Sequence, residues 1–78
     1  MPAPSSVRWT DHALVKAQIL RVPRADVERA VLEGHAGRRR NVGAAEWRIG
    51  SGRLVVLYDH PDDGDPTTAR IVTLWRQR

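Results

Sequence analysis

Apolar positions along this chain change their period several times, and each change marks a new element. Val7 to Thr10 alternates apolar and polar and contains Trp9, which predicts a short strand at a sheet edge or beside the last strand of the chain. Ala13, Leu14, Ala17 and Leu20 then recur at helical spacing, with Thr10 or Asp11 able to cap the free amides. A helix is therefore expected from about Asp11 to Leu20. Pro23 cannot continue it and biases Val22 towards an extended conformation, so the chain turns there. In a second helix Val27, Ala30 and Val31 form the apolar stripe, and Asp26 and Glu28 sit in the first turns where the dipole favours them. Gly34 is expected to supply a left-handed stop.

From His35 to Gly43 the periodicity disappears and the chain reads as a basic loop. Ala45 to Ile49 alternates, Gly50-Ser51-Gly52 reads as a tight hairpin turn, and Leu54-Val55-Val56-Leu57-Tyr58 is the strongest strand run. His60 to Thr68 carries two prolines, a glycine and an acidic cluster, the composition of a solvated loop, and Ala69 to Arg76 is the last strand. The order βααβββ predicts an α+β fold, with both helices packed on one face of a small, mainly antiparallel sheet. Alternation puts Leu54, Val56 and Tyr58 on one face and Val55 and Leu57 on the other; on the last strand Val72 and Leu74 oppose Ile71, Thr73 and Trp75. Neither face is wholly polar, so the sequence leaves open which one carries the helices.

A length of 78 residues fits one domain with a thin core, here residues 7–78, preceded by a loose lead, residues 1–6. That lead is too short and too polar for a signal peptide, and no run approaches the roughly 20 apolar residues that span a bilayer. No membrane association is expected. The absence of cysteine excludes disulfides, thiolate-bound zinc and cysteine nucleophiles, and it fits a cytoplasmic setting. With no Phe, the three tryptophans and Tyr58 are the only large planar groups, each either a core anchor or a stacking surface.

Charge changes the picture further. The formal net charge is +4, yet Asp59, Asp62, Asp63 and Asp65 fall in one stretch, which leaves the rest of the chain more basic than the total implies. The cations are nearly all arginine, whose planar fork suits phosphate, so RNA is the expected partner class; ordinary solvated charge is the alternative.

Thr10-Asp11-His12-Ala13, Arg21-Val22-Pro23, Asp26-Val27, Ala30-Val31 with Gly34, Leu54-Val55-Val56 and Ile71-Val72-Thr73 together resemble a small bacterial family of unknown function with a His-Ala first helix. The resemblance runs from about Val7 to Arg76, through short and tolerant matches. That family in turn resembles the BrnT and RelE toxins. The resemblance implies a metal-independent endoribonuclease scaffold with one sheet face open to RNA, often neutralised by a cognate antitoxin protein. Two departures stand out: the only lysine is Lys16, where RelE-like nucleases carry several on the sheet, and the BrnT-like strand motif matches loosely. No complete active-site constellation carries over.

Metal-free RNA cleavage needs a base for the ribose 2′-hydroxyl, cations for the crowded phosphate and an acid for the leaving oxygen. His12 is the best-placed titratable group, because it begins a helix whose dipole favours neutral imidazole; the alternative is that it packs at the first turn. Arg76 lies just beyond the matched Ile71-Val72-Thr73 and ranks first among the strand cations, with Arg48 and Tyr58 as further catalytic candidates. Lys16, Arg53, Arg70 and the run Arg38-Arg39-Arg40 are candidate RNA contacts, the run serving either as a backbone-binding arm or as solvated charge. His35 and His60 fall in expected loops without metal-site spacing, so neither a metal nor another cofactor is expected. A non-catalytic RNA- or protein-binding module on the same scaffold, and a purely structural domain, are the competing readings.

Overall fold

A computed structural model describes residues 2–77. Met1 of the expected lead and Arg78 of the expected domain lie outside the described residues. The elements in order are β1 (Ser6–Trp9), α1 (Asp11–Leu20), α2 (Arg24–Gly34), a 3-10 turn (His35–Gly37), β2 (Arg39–Arg40), β3 (Trp47–Ser51), β4 (Leu54–Asp59) and β5 (Thr68–Arg76). They form an α+β fold whose five-stranded sheet has the order β1-β5-β4-β3-β2. The outer strand β1 runs parallel to β5, and the other neighbours are antiparallel. Strand β2 is additional to the expected meander. Two arginines carry no apolar alternation, and the pairing is closed by Asn41, whose N–H donates to the Glu46 carbonyl and whose Nδ2 donates to that of Ala45.

Thr10 caps α1: its side chain accepts from the Ala13 N–H at 3.2 Å and donates to the Ile71 carbonyl at 2.7 Å, tying the helix start to β5. The helix ends at Arg21, in the left-handed region at φ 56°, whose N–H returns to the Ala17 and Gln18 carbonyls. Gly34 is not the left-handed stop expected of it. It has φ −94° and the chain continues into the 3-10 turn; a Cβ there would lie 2.9 Å from Ile49 Cγ1, so glycine is required by close packing of α2 on β3. In the hairpin, β3 extends to Ser51, opposite Leu54, and only Gly52 of the two turn residues has positive φ, the pattern of a type II′ turn.

One face of the sheet carries the helices. Ala13 and Ala17 of α1 and Val27, Ala30 and Val31 of α2 pack on Ile49, Val56, Tyr58, Ala69, Ile71 and Leu74. Full burial of each large aliphatic group contributes roughly 1.5–3 kcal/mol. The simple alternation expected for β5 fails at a register shift: Leu57 faces Thr73 but Tyr58 faces Ile71, so Val72 is an extra residue. This bulge puts Ile71 on the same face as Leu74. The lead is also more ordered in its contacts than its composition suggests, since Pro4 is buried, the Ser5 N–H donates to the Thr67 carbonyl and His60 Nε2 lies 2.8 Å from the Pro2 carbonyl.

Candidate nucleic-acid interface

The face away from the helices is built in transverse rows. Thr73, Leu57, Arg48 and Arg39 are successive register partners across β5, β4, β3 and β2, a line of roughly 14 Å at the usual strand spacing. At one end His12, exposed in the first turn of α1, places Nε2 3.0 Å from Thr73 Oγ1. Lys16 lies one turn along the same helix face. The neighbouring row contains Trp75, Val55 and Gly50, and the Arg48 guanidinium lies over the Trp75 ring at 5.6 Å. Val55 and Leu57 are nonetheless buried on this helix-free face, so it is lined by an apolar floor with cations above it.

At the other end of the row, Arg39 stands directly opposite Arg48 in the antiparallel β2–β3 pair. Like charges in that arrangement repel, and among the described residues neither guanidinium has an ion-pair partner. These two, with Arg40, Gly37, Gly50, Val55 and Gln77, line an open groove of about 620 Å³. The space around Gly50 and Gly37 is open: a Cβ at Gly50 would meet nothing closer than 4.0 Å and at Gly37 nothing within 4 Å.

The other sequence candidates lie elsewhere. Arg76 is opposite Leu54 in a row on the helix side of the sheet, where alternation from Trp75 puts it, and so does not join His12. Tyr58 is fully buried on that side too, its hydroxyl 2.8 Å from His35 Nδ1 and its pKa pushed up to about 12 by burial. Arg70 faces the open side but donates to Asp59 at 2.6 Å; Arg8, beside it, is likewise held by Asp62 at 2.6 Å, and that pairing keeps the Asp62 carboxyl below its ordinary range. The acidic loop therefore neutralises the β1 end of the face and leaves the positive charge at the β2–β3 end. Arg53 is exposed at the hairpin turn. Arg38 and Arg40 alternate away from Arg39, and both stack on Trp47, at 4.1 and 5.0 Å from the ring centroid.

Gly37, Gly50 and Gln77 were not among the sequence candidates. Gly50 falls in the hairpin turn that the sequence predicts, and neither Gly37 nor Gln77 carries a sequence signal that points to a groove. Among the described residues no group of three or more His, Asp or Glu side chains is placed to hold a metal, and no helix is long and apolar enough to cross a membrane. Compared with protein families, curated proteins and solved structures, the chain gives no match.

Proposed function

We propose that this protein binds RNA through the helix-free face of its sheet, holding phosphates in the groove between Arg39 and Arg48 and stacking on Trp75. The observation that carries this reading is the directly opposed Arg39–Arg48 pair, whose mutual repulsion a phosphate would relieve by bridging both forks. A cytoplasmic setting is proposed together with the RNA ligand. The test is fluorescence anisotropy with single-stranded RNA over a salt series. Affinity falls steeply with salt, and Arg39→Gln and Arg48→Gln each weaken binding and reduce the salt slope by about 0.7. Arg70→Gln, at a position already paired with Asp59, leaves the slope nearly unchanged. Undetectable binding at low salt, or binding indifferent to salt, overturns the proposal.

A second reading, metal-independent endoribonuclease action, is favoured by the His12–Thr73 contact at one end of the same row. His12 is the acid or base, and Arg48 replaces Arg76 as the phosphate-stabilising cation. RNA cleavage in EDTA, lost by about a hundredfold in folded His12→Ala, supports it. Salt-sensitive binding without cleavage leaves the binding module. In the toxin reading the antitoxin has an apolar target on α1, where Val15 and Ile19 are exposed one turn apart.

A further inference from the structure

A separate cavity of about 370 Å³ lies at the edge of the sheet, lined by Pro2, His35, Arg38, Glu46, Trp47, His60 and Pro61. Its polar lining is built from the interior. Tyr58 is fully buried, and its hydroxyl has His35 Nδ1 as its one partner among the described residues. Were Nδ1 the donor, the hydroxyl hydrogen would be left buried without an acceptor, so Tyr58 donates, Nδ1 accepts, and a neutral His35 carries its proton on Nε2. Burial, Arg38 and His60 all lower the His35 pKa, in keeping with a neutral ring. His35 is 7% exposed, and its Nε2 makes no hydrogen bond among the described residues. It is nevertheless not among the buried unpartnered atoms, so it is open, and the cavity is what His35 opens onto.

Arg38 supplies the second group. Its Nη1 donates to the His35 carbonyl at 3.1 Å and its guanidinium lies over Trp47, which together fix the fork. Nε is buried and closed off from the cavity, whereas Nη2 makes no hydrogen bond among the described residues and is not buried, so it is the donor Arg38 can offer to the cavity. Glu46, at the rim, is 3.8 Å from Arg40, which offsets its charge.

We infer that this cavity is a binding site for a phosphate-sized oxyanion, held by the Nε2–H of His35 and the Nη2 of Arg38. The ligand is either free phosphate or the terminal phosphate of an RNA strand. The site is independent of the Arg39–Arg48 groove, which lies on the other side of β2.

The test is titration of the full chain with inorganic phosphate, followed by nitrogen-15 NMR of the His35 ring and the Arg38 Nε. Saturable shifts of both resonances are expected, absent with chloride at matched ionic strength. Arg38→Gln should weaken phosphate binding by about tenfold or more. Arg38→Lys, which keeps the charge but loses the fork, should also weaken it, and either variant serves if the other fails to fold. Arg39→Gln should leave the titration unchanged, which separates this site from the groove. A 5′-phosphorylated oligoribonucleotide that competes well below the inorganic phosphate concentration supports the site and assigns it to RNA ends. Competition only by inorganic phosphate supports it and assigns the free ion. No shift, or a shift undiminished in the Arg38 variants, overturns the inference and leaves a water-filled cavity.

Discussion

At the scale of single residues, His35 sits in an environment far from its expected place in a basic loop. It is buried against Tyr58 and stacks edge-on with His60 at 5.0 Å between ring centroids. Its folded pKa is lowered, so between that value and about 6.5 the unfolded chain binds more protons than the folded one. Stability contributed by neutral His35 is therefore present above pH 6.5 and is lost as pH falls towards the folded pKa. Urea midpoints measured from pH 7.5 to 5 should decline for the wild type, and the decline should be shallower for His35→Gln. An equal decline in both proteins would show that His35 is not the titrating group. Nothing in the sequence marked His35, because its significance comes from Tyr58, 23 positions away, meeting it across the fold.

Elements were legible where a local rule decides them and illegible where a distant contact does. Both helices, the hairpin and the last strand follow from periodicity, and Thr10 from cap chemistry. The two helix ends reverse the expected roles of their residues. Arg21 occupies the left-handed position, where a side chain costs roughly 1–2 kcal/mol, while Gly34 sits at ordinary helical φ under Ile49. Arg21→Gly should therefore raise stability by up to about 1 kcal/mol. Gly34→Ala should lower it by about 1 kcal/mol despite the better helix propensity of alanine, and Ile49→Val, by removing Cδ1, should recover part of the loss. Thermal or urea unfolding of the four proteins, with the double variant, measures the coupling. The bulge opposite Leu57 and Tyr58 was equally invisible, and with it the shared face of Ile71 and Leu74; Arg76 keeps the expected alternation from Trp75, and what the sequence left open was which face carries the helices. The two-arginine strand β2 escaped because a strand that short is defined only by its partner.

For the whole molecule, the decisive property is where the folded chain puts its uncompensated charge. The acidic cluster was legible as a run, but its return onto Arg8 and Arg70 depends on the closing of the sheet. The opposed Arg39 and Arg48 thus represent stability given up at one edge. Arg39→Glu should turn that repulsion into an attraction and raise stability by about 0.2–1 kcal/mol, while abolishing salt-sensitive RNA binding. A variant both less stable and undiminished in RNA binding would contradict the charge map. The parallel pairing of β1 with β5 has a further consequence, for how the chain reaches this state. Ser6 meets Thr68, and among the described residues β5 is the only strand that joins β1 to the rest of the sheet. On the ribosome, both helices emerge before any of the strands they cover except β1. Until β5 has been synthesised, α1 lacks the strand it packs on and β1 lacks its sheet partner, while α2 can already meet β3 and β4, so the core closes only when β5 arrives.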